Sequence, residues 1–184
     1  MSSTEKRLAF RWIASNALGW PLVIGGGLDF RWECILGGAV IGVAQWLALH
    51  RRLYFAPAWI AGTWFAWTVG LWAGAVHGLL IPDPYWAGIS GGTLAGLAQS
   101  CVLGRQVSRP VLWVPATIVS STLGWVAGTI LGLWVYDLCA AESVAYLTGS
   151  AVGGAVIGGV SAPILLLMLR HPKAAGDRKE KIYA

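Results

Sequence analysis

Two glutamines and a serine occupy matching places in three copies of a glycine-rich pattern, and they are the first candidates for chemistry. Gln45 and Gln99 each follow a Gly-x-x-x-Gly pair, and Ser161 takes the corresponding place in the third copy. In an apolar segment an amide without a hydrogen-bond partner costs about 1–3 kcal/mol, so these side chains need partners. They either bond neighbouring helices to one another or line a polar site near the axis of the helix bundle that binds a substrate or ion.

His77 and Trp67 are candidates for contact with a ligand or pigment. His77 lies between Gly74 and Gly78, which leave room for a flat ring such as a porphyrin or chlorophyll. The alternative is a neutral histidine bonded to a backbone carbonyl, because the other two histidines, His50 and His171, lie at the cytoplasmic rim and cannot complete a haem or metal site with it. Trp67 falls on the glycine-rich face of its segment, where the next repeat has Ser121. The sequence predicts no metal site, and the cofactor is unknown.

The polar residues of the apolar segments do not form a catalytic set. No acidic residue lies inside these segments, whereas proton-coupled transporters place ionisable groups in the membrane. A hydrolase needs a nucleophile with its base, and neither Ser121 nor Ser150 has a histidine at helical spacing. We therefore expect that the chain is not an enzyme.

Two cysteines fall at the same end of the apolar segments. Cys34 and Cys139 can form a disulfide if that side is oxidising and their Cα atoms come within about 7 Å, and two free thiols are the alternative. Cys101 lies toward the opposite end of its segment and cannot reach either of them.

The composition indicates a membrane protein. Of 184 residues, 57% are hydrophobic and 11% charged, whereas a soluble domain carries about 25% charged residues. A membrane-spanning helix needs about 20 mostly apolar residues, and we assign six such spans. They are Trp12–Leu28, Ile35–His50, Ala58–Leu80, Trp86–Leu103, Leu112–Tyr136 and Val144–Leu169. We expect Pro21 to break the first of them.

The distribution of basic residues predicts the orientation. Every lysine and arginine except Arg31 flanks the spans on one side, which by the positive-inside rule is the cytoplasm. Both termini are therefore expected to be cytoplasmic, in a multi-pass protein of a bacterial inner or thylakoid membrane. The net charge of +5 follows from this asymmetry, so the expected partners are the lipid bilayer and other membrane protein subunits, and not nucleic acid.

An internal repeat predicts the architecture. The unit Gly37-Gly38-Ala-Val-Ile-Gly42-Val-Ala-Gln45 recurs from Gly91 and, more loosely, from Gly153. We expect an all-α membrane protein of one domain, residues 1–170, with a cytoplasmic basic tail at 171–184. Its six transmembrane helices form three parallel helical hairpins in a compact bundle with approximate threefold symmetry, over residues 8–52, 58–106 and 112–170.

Glycines at helical spacing are expected to form the packing faces of these helices. Small residues let helices approach closely where no hydrophobic effect drives their association. The glycines concerned are Gly38, Gly42, Gly70, Gly74, Gly92, Gly96, Gly124, Gly128, Gly154 and Gly158.

The repeated unit also carries a resemblance. Its pattern G-x-x-x-G-x-x-Q-W-L-x-L-x-R-R, followed by a segment that opens with Trp and ends with Gly, resembles a group of small polytopic membrane proteins of cyanobacteria and other bacteria. The resemblance covers most of residues 35–170. The second copy has Ser100 in place of the Trp, and the third copy lacks the Gln. The resemblance implies the fold and no particular activity.

Half of the 12 tryptophans lie at the predicted span ends, where indole rings commonly anchor in the headgroup region. These are Trp12, Trp32, Trp59, Trp86, Trp113 and Trp134. Short loops, uncharged spans and abundant small residues favour an accessory or scaffold subunit that packs against a larger membrane complex. The alternatives are a transport or binding component for a small neutral or apolar solute, and a pigment- or lipid-binding photosynthetic accessory protein.

Overall fold

The computed structural model describes residues 1–24, 30–52, 56–80 and 85–172, without the side chains of 23–24, 30–31, 33–34, 56 and 74–80. The described chain is all-helical, with six α-helices and no strand. The helices are α1 (Ser3–Ile24), α2 (Phe30–Leu49), α3 (Ala56–Leu80), α4 (Tyr85–Leu103), α5 (Trp113–Cys139) and α6 (Glu142–Leu169). A single 3-10 turn, Pro110–Leu112, precedes α5.

Helix α1 begins nine residues before the predicted span because a capping box starts it. The backbone N–H of Ser2 donates to a carboxylate oxygen of Glu5 at 2.7 Å, and the N–H of Glu5 donates to the hydroxyl of Ser2 at 3.3 Å. This reciprocal pair satisfies two of the free N–H groups at the helix start. Pro21 lies within α1 and does not break it, contrary to the prediction. It removes one hydrogen bond close to the end of the helix, where the loss is small.

The six helices form a closed ring in which each helix packs against its neighbours in sequence and α6 returns to α1. Glycines make the close approaches between antiparallel neighbours. A Cβ atom at Gly38 would lie 2.6 Å from the carbonyl oxygen of Trp64, and one at Gly128 would lie 2.7 Å from that of Gly149. A Cβ atom at Gly158 would lie 2.7 Å from the Cα atom of Ile13, where the ring closes.

The other predicted packing glycines also face a neighbouring helix, with one exception that falls outside the described side chains. Gly42 faces Ile60, Gly70 faces Gly91, Gly92 faces Thr117, Gly96 faces Val114, Gly124 faces Gly153 and Gly154 faces Asn16. Gly74 is the exception. These glycine faces are occupied by contacts between neighbouring helices of the ring, so they are not available to an external partner.

Two helical stretches of the described chain are long and apolar enough to cross a membrane. They are Pro110–Cys139 and Glu142–Leu169, and Ile35–Leu49 is a shorter apolar helix. The remaining helices are not both long enough and apolar enough over their described residues to meet the same condition. Helix α4 carries Gln99 and several serines and glycines, which lower its mean hydropathy although many of them point into the ring.

The start of α1 and the end of α6 meet at one end of the ring. The guanidinium Nε of Arg170 donates to a carboxylate oxygen of Glu5 at 2.7 Å. The loop after α4 joins them, since the backbone N–H of Ser108 donates to the carbonyl of His171 at 3.1 Å. This end of the ring therefore collects exposed basic residues, namely Lys6, Arg7, Arg11, Arg51, Arg52, Arg105, Arg109 and Arg170.

The ion pair at this end predicts a pH dependence. The hydrogen bond from Arg170, and then that from the backbone of Ser2, lower the pKa of Glu5 from 4.5 to about 2. Because the folded pKa lies below the unfolded one, the stabilisation is complete above pH 4.5 and is lost as the pH falls toward 2. We expect an NMR titration of the Glu5 carboxyl to show this low pKa. It should return toward 4.5 in Arg170→Gln, and an unchanged titration in that variant would contradict the assignment.

Candidate functional site

Three tryptophans meet on the axis of the ring, in what we call the tryptophan layer. Trp12 of α1, Trp59 of α3 and Trp113 of α5 are each at most 1% exposed. The ring of Trp12 meets the other two edge to face, with centroids 6.3 Å from Trp59 and 5.7 Å from Trp113. Such contacts place the edge of one ring against the electron-rich face of another. The tryptophan layer closes the axis toward the basic end.

The next layer along the axis is polar, and we call it the polar layer. It consists of Asn16, Gln45, Thr63, Gln99, Thr117 and Ser161, all buried. Each of the six helices contributes one of these residues.

Gln99 is the centre of the hydrogen bonds in the polar layer. Its Nε2 donates to Oε1 of Gln45 at 3.0 Å and to Oγ1 of Thr63 at 2.9 Å, and its Oε1 accepts from Nε1 of Trp113 at 2.7 Å. Nε2 of Gln45 in turn donates to Oδ1 of Asn16 at 3.0 Å. These hydrogen bonds therefore join side chains of five helices, α1 to α5, without a charged group.

Ser161 of α6 forms a hydrogen bond with the tryptophan layer. Its hydroxyl accepts from Nε1 of Trp12 at 2.9 Å and donates to the carbonyl of Ile157 at 2.6 Å. The structure thus brings Gln45 and Gln99 into direct contact and binds Ser161 to Trp12. All three predicted polar residues also line one axial cavity.

The lining of this axial cavity includes residues of the tryptophan layer, of the polar layer and of a third layer that is only partly filled. In the third layer Trp20 and Trp67 pack edge to face with centroids 4.6 Å apart, and α5 has Ser121 in the matching position. Ala95 likewise stands where α2 and α6 have Ile41 and Ile157. Because α4 and α5 supply small residues here, the axis is not completely filled.

The axial cavity measures about 10 Å³ and has no charged side chain in its lining. Its polar lining includes the amides of Gln45 and Gln99 and four hydroxyls, those of Thr117, Ser120, Ser121 and Ser161. A cavity needs about 10–15 Å³ to hold a single water molecule, so this cavity has the size of one water molecule. A separate groove of about 240 Å³, lined in part by Cys101 and Arg105, opens on the outside between α3 and α4.

Three buried indoles donate no hydrogen bond to any described residue. They are Trp20, Trp59 and Trp67, and of these only Trp67 lines the axial cavity. Trp59 differs from Trp113 in this respect: Trp113 donates to Gln99, whereas the equivalent residue Gln45 accepts from Gln99 and not from Trp59.

This difference between Trp59 and Trp113 predicts unequal effects of the same substitution. Trp113→Phe removes a hydrogen bond to Gln99, whereas Trp59→Phe removes none, and both rings are fully buried. We expect Trp113→Phe to lower the free energy of unfolding by about 1 kcal/mol more than Trp59→Phe. Unfolding of both variants in the same detergent measures this difference, and equal losses would contradict the bonding pattern.

The tryptophan layer corrects part of the sequence analysis. We expected Trp12, Trp59 and Trp113 to anchor in headgroups, and this was wrong, because all three point to the axis. By contrast, Trp32 and Trp134 are 57% and 60% exposed. The predicted candidates also did not include Asn16, Thr63 or Thr117. Their signal was the spacing of four residues after Trp12, Trp59 and Trp113.

Other predicted residues do not reach the axial site or lie outside the described side chains. The side chains of His77 and Cys34 lie outside them. Cys139 is an exposed free thiol that donates to the carbonyl of Val135 at 3.0 Å. Among the described residues no group of His, Cys, Asp or Glu could hold a metal ion.

No protein-family model matches the sequence, and no match was found among curated proteins or solved structures.

Proposed function

We propose that the chain is an integral membrane accessory or scaffold subunit that works by packing against a larger membrane complex. The observation that carries this proposal is the narrow axis of the ring, where only a small cavity remains between the helices. The amides of Gln45 and Gln99 bond one another and neighbouring side chains, and the axial cavity of about 10 Å³ leaves no room for a vitamin-sized solute or a flat pigment between the helices. The outer surface of the ring is then the surface on which the protein acts.

The outer surface supports the proposal of six membrane spans. Large apolar side chains are exposed on the outside of every helix, whereas a soluble monomer rarely exposes apolar patches beyond a few hundred Å². They include Leu18, Leu22, Val43, Leu47, Phe65, Val69, Leu97, Val119, Leu123 and Val160. In this proposal the short or glycine-rich helices span the membrane because their polar residues face the ring and not the lipid.

The ring and the repeat support the proposed arrangement of the spans. Three hairpins, α1–α2, α3–α4 and α5–α6, insert with the same orientation around an approximate threefold axis, and each supplies one indole to the tryptophan layer. The exposed basic end supports cytoplasmic termini, since Lys and Arg flanks stay on that side. The proposed location is a bacterial inner or thylakoid membrane.

The α5–α6 hairpin is the proposed contact surface for the partner subunit. Helices α5 and α6 have 27 and 28 residues, whereas α3 and α4 have 25 and 19. The end of this longer hairpin exposes a cluster of large side chains, which are Leu133, Trp134, Tyr136, Leu138 and Tyr146. Tyrosine and tryptophan are enriched at protein interfaces because one ring offers apolar area and a polar group together.

Photo-crosslinking in the native membrane tests this proposal. A photoreactive residue at Trp134 is expected to give one crosslinked protein product that also co-purifies in mild detergent with fixed stoichiometry. The same residue at Val119, exposed in the middle of α5, serves as the matched control and is expected to give lipid adducts. A monomer that gives only lipid adducts at both positions would contradict the accessory function.

The solute-binding alternative requires a different result. It needs an axis that opens wider than the axial cavity, because about 10 Å³ accommodates one water-sized molecule. Saturable binding of a small neutral solute by the purified protein, lost in Gln99→Met, would favour this alternative over the accessory subunit. Visible absorption of the purified protein would instead favour the pigment-binding alternative.

A further inference from the structure

We propose that the axial cavity is a binding site for one water molecule, which accepts a hydrogen bond from the indole N–H of Trp67 and donates to hydroxyl oxygens of α5. The site is independent of the partner proposed above, because it lies inside the ring. Trp67 is 3% exposed, lines the cavity and finds no acceptor among the described residues. A buried N–H group without a partner is rare in folded proteins, since it forfeits the hydrogen bond it makes with water when unfolded.

The hydrogen-bonding groups around the cavity select a ligand that both accepts and donates. Thr117 donates its hydroxyl proton to the carbonyls of Trp113 and Val114, and Ser120 donates to the carbonyl of Thr117. Both hydroxyls therefore have only lone pairs to offer to a ligand. The cavity lining also includes Trp67, whose N–H has no acceptor among the described residues, and the hydroxyl of Ser121.

Water meets these requirements, whereas ions do not. An anion would need several donors, and a cation would be repelled by the N–H of Trp67 and has no charged group in the cavity lining to balance it. A water molecule accepts one bond from Trp67 and donates two to oxygens of Thr117 and Ser120. Three hydrogen bonds are typical of a buried water, and the volume of about 10 Å³ fits one molecule.

The site exists because two repeats differ from their counterparts. Ser121 replaces the indole found at Trp20 and Trp67, and Ala95 replaces the isoleucine found at Ile41 and Ile157. An indole or an isoleucine in these places would occupy the cavity. The water therefore fills the gap in the third layer and connects Trp67 of α3 to the polar layer on α5.

NMR of the full-length protein in micelles, with the tryptophan indoles labelled with ¹⁵N, tests the proposal. We expect magnetisation transfer from water to the indole proton of Trp67 and none to that of Trp20. Trp20 is the matched control, since it is equally buried and equally without a described acceptor but does not line the cavity. Trp67→Phe and Trp20→Phe assign the two signals.

A filling variant gives a second, independent readout. Ala95→Val adds two methyl groups at the cavity wall, in a position where the other repeats carry isoleucine, and Ala61→Val makes the same change at an exposed site on α3. We expect Ala95→Val to abolish the transfer to Trp67 and Ala61→Val to preserve it. The proposal is overturned if wild-type Trp67 receives no transfer, if Trp20 receives as much, or if the transfer survives in Ala95→Val.

Discussion

Replacing Gly158 with alanine is expected to open the ring between α1 and α6, whereas the same replacement at the adjacent Gly159 is expected to leave the fold intact. A Cβ atom at Gly158 would lie 2.7 Å from the Cα atom of Ile13, and no rotamer can relieve a clash with backbone. Helix α1 must therefore move outward. Overpacking of this kind costs about 1–3 kcal/mol, and a backbone contact belongs to the upper part of that range.

Gly159 provides the control because it is the next residue of the same helix but does not face α1. It is exposed, and a Cβ atom there would meet nothing within 4 Å. Alanine favours the helix by up to about 1 kcal/mol relative to glycine, so Gly159→Ala is expected to be neutral or slightly stabilising. Thermal unfolding of both variants in one detergent measures the contrast. Equal unfolding temperatures would show that α1 does not close the ring through Gly158.

Replacing Gln99 with methionine is expected to cost about 2–4 kcal/mol of unfolding free energy. The substitution keeps the volume of the side chain but removes three hydrogen bonds, to Gln45, Thr63 and Trp113. It leaves the indole N–H of Trp113 and the amide oxygen of Gln45 buried without partners, and each such group costs about 1–3 kcal/mol.

Gln106→Met is the matched control for Gln99→Met. Gln106 is also buried, but its Nε2 has no acceptor among the described residues. Removing a buried amide nitrogen that has no acceptor among the described residues is expected to be neutral or stabilising. Chemical unfolding of both variants tests the difference, together with the indole N–H signal of Trp113, which should shift only in Gln99→Met. Equal losses of unfolding free energy in the two variants would contradict a stabilising role of the hydrogen bonds of Gln99.

The local pattern of the chain predicted much of the fold, because helix formation depends on residues close in sequence. Glycine pairs such as Gly38 and Gly42 repeat at helical spacing, and the repeat places Gln45 and Gln99 at equivalent positions. Both observations depend only on spacing along one helix. The capping box of Ser2 and Glu5 is also a local pattern, and it indicates the start of α1 at Ser3.

The candidate site was only partly predictable, because its partners lie on different helices. Gln99 was predicted as a polar residue on a packing face, but its bonds to Thr63 and Trp113 depend on how α3, α4 and α5 pack. The direction of Trp59 was predicted wrongly. A tryptophan at a span end fits the headgroup region and the axis equally well, and only the neighbouring helices decide which way it points.

The amino-acid sequence by itself determined the apolar segments, their glycine faces and the clustering of basic residues, because composition and helical periodicity are properties of each segment alone. Only the tertiary structure decided that α6 closes on α1, that three indoles meet on the axis and that Ser121 and Ala95 leave an axial cavity. These features depend on which helices become neighbours and at what depth they align. The first candidates for chemistry, Gln45, Gln99 and Ser161, needed both: their spacing predicted a common face, and the ring brought that face to the axis.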